Sequence, residues 1–147
     1  MSPIPDRPTW LGLLATAPHE RLLALTAEAG SAADHTVLRR PEIGTVMLRG
    51  RTGGTGAPFN LGEITVTRAS VRITEGPVGH GHVQGRNPQA ALAAALVDAL
   101  MQTPRAAELA ARVLAPLSAE QAARRSARAA RAAATKVDFF TLVRGDD

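Results

Sequence analysis

The sequence predicts an α+β fold, an antiparallel β-meander flanked by N-terminal and C-terminal helices. Leucine- and alanine-rich stretches with helix punctuation occupy residues 1–30 and 87–136. The stretch between them, 35–84, turns to β-branched residues and glycine turns. No internal repeat and no polar linker divides the chain. At 147 residues it is expected to form a single domain, 1–147, able to bury ~70% of its unfolded surface.

Two short helices open the chain. Trp10, Leu11, Leu13 and Leu14 cluster in the first, and PHERLLALTAEAG forms the second, with Pro18 suited to its first turn and Gly30 to its stop. HTVLRR, EIGTVMLRGR, FNLGEITVT, ASVRI and VGHGHVQ then read as strands. RTGGTG, residues 51–56, lies between two of them and resembles a phosphate loop. A Walker loop, however, requires G-x-x-x-x-G-K-[ST] between a strand and a helix. Here no lysine follows Gly56 and strand sequence comes next, so the segment reads as a glycine turn.

Asn87-Pro88 supplies an N-cap and a first-turn proline for a helix carrying Leu92, Leu96 and Leu100. Thr103-Pro104 starts another, with Ala106, Leu109, Ala110 and Val113 on one face. Ser118-x-x-Gln121 matches a capping box and is expected to open the long helix AEQAARRSARAARAAATK. Residues 137–147 then read as an extended segment.

Composition narrows the chemistry. The chain has no cysteine, which excludes disulfides, a thiol nucleophile, cysteine-held iron–sulfur clusters and cysteine-type zinc sites. No run of 18 apolar residues and no signal-peptide pattern is present, so a cytoplasmic location and no membrane contact are expected. The net charge is +4, and Lys136 is the only lysine among 17 cations. Arginine binds phosphate or carboxylate bidentately. An arginine and alanine bias also follows from a GC-rich genome, so composition alone names no ligand.

Most of the polar information lies in TRASVRITEGPVGHGHVQGRN, residues 67–87. A two-residue Glu75-Gly76 turn sets Val71 opposite His80 and Ala69 opposite His82. Arg68 and Arg72 then share a face with Gly79, Gly81 and Val83, leaving space for an anion or a partner carboxylate. A three-residue turn would exchange the faces and align Arg72 with His80. Solvated arginines on an exposed face are the plain alternative. His80 and His82 share a strand face but lack a third ligand, so packing against Ala69 and Val71 is expected and no metal. Arg86 sits just ahead of a helix N-terminus, where backbone N–H groups favour an anion, although Pro88 and Asn87 reduce the free donors.

Arg124, Arg128 and Arg131 form a stripe on the long helix, with Arg125 about 100° away. Basic helices suggest nucleic acid. No aromatic residue interleaves with these arginines, so an acidic protein surface suits them better. In the last segment Val137, Phe139 and Thr141 alternate with Phe140 and Leu142, so both of its faces are apolar. Such a segment lies inside its own domain or under a partner. Val137, Phe139, Phe140, Leu142 and Arg144 are the candidate interface.

RTGGTG, TRASVRI, VQGRN, VDALMQ at 97–102, LAPL at 114–117 and KVDFFTLVRGD at 136–146 together resemble the PhnG family. That family is a subunit of the bacterial carbon–phosphorus lyase core complex. The resemblance covers nearly the whole chain in order. It departs at positions 80 and 82, where the family pattern has aromatics and this chain has histidines. It implies a subunit of ribose 1-methylphosphonate 5-triphosphate synthase, a transferase complex that replaces the adenine of ATP with a phosphonate. It also implies that a nucleosidase-type partner carries the glycosyl chemistry, while this chain is a companion with no catalytic residue and no cofactor. The residues agree with that role, offering neither paired carboxylates at a recognisable spacing nor a nucleophile beside a base. The rivals are an arginine-rich nucleic-acid binder and a self-sufficient enzyme.

Overall fold

The computed structural model describes residues 3–137. Helices α1 (Arg7–Thr16) and α2 (His19–Glu28) precede strands β1 (His35–Arg51), β2 (Pro58–Ile73) and β3 (Val78–Gln84). Helices α3 (Pro88–Leu100), α4 (Ala106–Leu109) and α5 (Ala115–Ala134) follow. The sheet is antiparallel with strand order β1-β2-β3, so the α+β class holds.

Local chemistry accounts for the helix ends. The Asp6 side chain accepts from Thr9 N at 3.1 Å and caps α1, and its carboxyl is held below its ordinary value by hydrogen bonding to the Thr9 side chain and then to the Thr9 backbone. Asn87 Oδ1 accepts from Ala90 N at 2.9 Å and caps α3, with Pro88 in the first turn. Gly30, at φ 58, stops α2 as its position implies. The capping-box reading at Ser118 does not hold. Ser118 lies inside α5, which continues from α4 through a π-turn at Ala110–Leu114, and Gln121 donates instead to Thr16 Oγ1.

The strand count is also corrected: five short runs form three strands. Pro41 does not break β1, because it falls where the register slips between Arg39 and Glu42 on an edge strand. RTGGTG is the β1–β2 turn, with Gly53 at φ 62 and Gly54 at φ 84.

The core lies between one face of β2–β3 and the helices. Ala69, Val71 and Val83 face α3, and Leu14, Leu22, Val97, Leu109, Val113 and Leu117 are among the other fully buried side chains. A Cβ at Gly79 would overlap Ala95 O and Ala99 N, and one at Gly81 would overlap Ala91 O and Ala95 N. The α3 backbone therefore rests directly on the two glycines, along its Ala91, Ala95 and Ala99 row. Chain economy explains the alanines: a larger side chain in this row would push the helix off the sheet.

Candidate functional site

The β2–β3 register differs from the two-residue-turn expectation. Val71 pairs with Gly79, Ala69 with Gly81, Ser70 with His80 and Arg68 with His82. The reason is Pro77. A two-residue turn needs an N–H at that position to bond Thr74 O, and proline has none. The loop instead spans Thr74–Gly76, with Gly76 N donating to Ile73 O, Ile73 N to Pro77 O, and Glu75 at φ 53. Every face assignment reverses. Gly79 and Gly81 make room for α3 rather than for an anion, and His80 and His82 leave Ala69 and Val71 for the opposite face.

That opposite face is a grid of polar groups. Across the three strands one row reads Arg39, Ser70, His80 and the next reads Glu42, Arg68, His82. Arg72 extends it, opposite Thr36 and Val78. Ser70 Oγ and His80 Nδ1 are hydrogen-bonded at 2.8 Å, and Arg39 meets Glu42 at 3.4 Å. Partial burial, and then the charges of Arg68, His80 and Arg39, hold the His82 pKa below its ordinary value. Arg68 Nε is enclosed without a hydrogen-bond partner. Such a face attracts anions or acidic side chains. Among the described residues, no group of three His, Cys, Asp or Glu converges as a metal site.

Arg86 is exposed and stands apart from this grid along the chain. The helix end beside it is already occupied by the Asn87 cap, while Asn87 N donates to Thr67 Oγ1 at 3.1 Å. Val137 is 68% exposed. Phe139, Phe140, Leu142 and Arg144 lie outside the described residues. The arginines of α5 project into solvent, since the helix is exposed from Ala122 to Ala134.

Two features were not anticipated. Asp98, fully buried, accepts from Arg7 Nε at 3.1 Å and Nη2 at 2.7 Å, from Trp10 Nε1 at 2.8 Å and from His80 N at 2.8 Å. Its carboxylate raises the Arg7 pKa further above its already high value. The signal was in the spacing: Asp98 continues Ala91, Ala94 and Ala95 on one helical face, where a lone acid must find donors. The second feature is an arm. Beyond Val66, β2 has only β1 as a neighbour; Val46, Met47, Leu48, Phe59 and Leu61 are all exposed there, as is Ile43 at the base of the arm opposite Thr67.

Residues 5–145 match the family model described as "Phosphonate metabolism protein PhnG". The chain belongs to the PhnG family. A curated relative from Rhizobium meliloti (strain 1021), "Alpha-D-ribose 1-methylphosphonate 5-triphosphate synthase subunit PhnG", is 46% identical over 110 residues, which is 75% of this chain and 70% of the relative. Neither match supports the nucleic-acid alternative. Among the described residues no helix is long and apolar enough to cross a membrane. RTGGTG and VDALMQ, two of the segments that carry the resemblance, fall on the tip of the arm and at the C-terminal end of α3, which carries Asp98.

Proposed function

We propose that this chain is a companion subunit, without catalytic residues of its own, of a synthase that replaces the adenine of ATP with a phosphonate. The product is a ribose 1-phosphonate 5-triphosphate. Its name makes the Rhizobium relative a subunit of an alpha-D-ribose 1-methylphosphonate 5-triphosphate synthase. The observation that carries the subunit role is the uncovered apolar surface of the arm, where Ile43, Met47 and Leu61 are 52%, 51% and 61% exposed. Isolated exposed apolar residues are ordinary, whereas a contiguous set fits a partner. In this reading the chain is one cytoplasmic folding unit. A nucleosidase-type subunit performs the glycosyl chemistry and meets ATP and phosphonate, while Arg68, Arg72 and Arg86 meet an anion or a partner, and Val137, Phe139, Phe140, Leu142 and Arg144 form a partner interface.

The test combines co-purification with an adenine-release assay on ATP plus methylphosphonate. The isolated chain is expected to release no adenine, and addition of the companion subunits is expected to start turnover. Turnover by the isolated chain at the rate of the full complex would overturn the companion role.

A further inference from the structure

We propose that the helix-free face of the sheet is a binding site for a phosphate-class oxyanion, seated between Arg39, Arg68 and His82, with His80 and Arg72 at its margins. This chain pairs its half-buried arginines with carboxylates, with one exception. Among the described residues there are four, Arg7, Arg21, Arg68 and Arg105. Three meet a carboxylate: Arg7 meets Asp98 at 2.7 Å, Arg21 meets Glu120 at 2.7 Å and Arg105 meets Glu108 at 3.0 Å. Arg68 meets none, and its Nε has no acceptor. Withdrawing a cation from water without a counter-charge is costly. Arg68 departs from the pattern the rest of the chain keeps, and an external anion restores it.

The surroundings specify the kind of anion. Neighbouring strands lie about 4.8 Å apart and same-face residues along one strand about 6.8 Å apart. His82 is opposite Arg68 on β3 and Glu42 is opposite it on β1, the Arg68 guanidinium lies over Gly44, and Arg39, Ser70 and His80 form the adjoining row. Donors therefore flank Arg68 on more than one side, which suits a tetrahedral group with oxygens in several directions better than a single planar carboxylate. The charges that face the site are Arg39 and Glu42 from β1, Arg68 and Arg72 from β2, and His80 and His82 from β3. Glu42 is the only acid among them and is engaged by Arg39 at 3.4 Å. Ser70 occupies His80 Nδ1, so Nε2 is the nitrogen left for a ligand. Burial chiefly, and then the nearby positive charges, depress His82; an arriving anion offsets those charges and makes its protonation easier. This site rests on geometry within the chain and does not depend on the subunit role.

The experiment uses the full isolated chain and inorganic triphosphate. NMR titration curves of the His82 and His35 rings are recorded in chloride and in triphosphate at equal ionic strength. Triphosphate is expected to raise the His82 midpoint while His35 stays fixed. Arg68→Gln is expected to abolish that rise and weaken binding by about tenfold or more. Should that variant fail to fold, the exposed Arg39→Gln is expected to weaken binding severalfold. Equal movement of both rings, or no movement, would overturn the site. A glutamate-rich peptide that raised His82 as strongly as triphosphate would also overturn it, assigning the face to an acidic partner. Neither failure bears on the adenine-release result.

Discussion

The two edges of one sheet are treated in opposite ways. Along β3, side chains take up the free backbone groups: Asp98 accepts from His80 N at 2.8 Å, Gln102 donates to Val78 O at 2.9 Å and His19 Nε2 donates to Gln84 O at 2.6 Å. Along β1, 17 residues long, no described strand or helix pairs the outer edge, and exposed Ile43, Val46, Met47 and Leu48 flank it. An open, apolar edge strand is a hazard that natural proteins blunt with charge, proline and bulges. Here Pro41 and two register slips lie in its first half, and in the distal half only the slip between Leu48 and Arg49 interrupts the bare edge. Because the same chain engages one edge with its own side chains, buried Asp98 among them, the bare edge reads as a surface kept for assembly.

The contrast is broken most directly at the sealed edge. Asp98→Ala leaves Arg7, Trp10 Nε1 and His80 N without their acceptor, and is expected to cost the isolated chain about 3–5 kcal/mol in urea unfolding. A loss under about 1 kcal/mol would show that water or neighbours replace the carboxylate readily. Gly79→Ala is expected to cost somewhat less, about 1–3 kcal/mol, because α3 must lift off the sheet to admit a methyl group. Unchanged thermal unfolding would mean that the contact between Gly79 and α3 is slack.

These two sites also mark where the sequence was legible. Helix positions followed from Asn87-Pro88 and Gly30, both of them local signals, and the α+β class followed from periodicity. The register did not, although its cause was in plain view: Pro77 forbids the two-residue turn that Glu75-Gly76 suggests. Once that proline is weighed, Arg68, Ser70 and Arg72 move to the face of His80 and His82. Asp98 was harder to place, since its donors lie 88 and 91 residues away in sequence for Trp10 and Arg7 and one is a backbone N–H. Long-range partners of a lone acid cannot be read from spacing. The fusion of five runs into three strands was likewise set by cross-strand pairing, which lets Pro41 sit in an edge bulge.

A smaller effect is expected on the face between the edges. His82 is held below its ordinary value in the fold, so the unfolded chain binds its proton first. Above about pH 6.5 both states are neutral and His82 is silent. As the pH falls from there through the folded-state value, stability declines by this contribution, and His82→Asn is expected to flatten that part of the stability profile. Glu108, held low chiefly by the Arg105 hydrogen bond, acts in a separate window below its ordinary value of 4.5, where protonation weakens the fold. A profile between pH 5.5 and 6.5, roughly the range of histidine titration, that is identical in the variant and the parent would remove His82 as its source.

The smallest effect on the fold is expected from the arm. Val46 pairs with Ile64 and shares its face with Leu48, whereas Ile43 and Met47 lie on the other face. The double variants Val46→Thr/Leu48→Thr and Ile43→Thr/Met47→Thr keep β-branched side chains on the strand while removing apolar surface. Since all four parent side chains are exposed, each substitution should change the stability of the isolated chain by no more than about 0.5 kcal/mol. Assembly is a different matter. Burying one such side chain under a partner is worth roughly 1.5–3 kcal/mol, so losing two could weaken docking by more than about a hundredfold. Co-purification with the companion subunits is expected to fail for the pair on the covered face and to survive for the other, or to fail for both if the partner clasps the arm. If both variants assemble like the parent, the arm is not the interface. If either unfolds the isolated chain, its apolar face supports this protein's own core, and the contrast between a sealed and an open edge collapses.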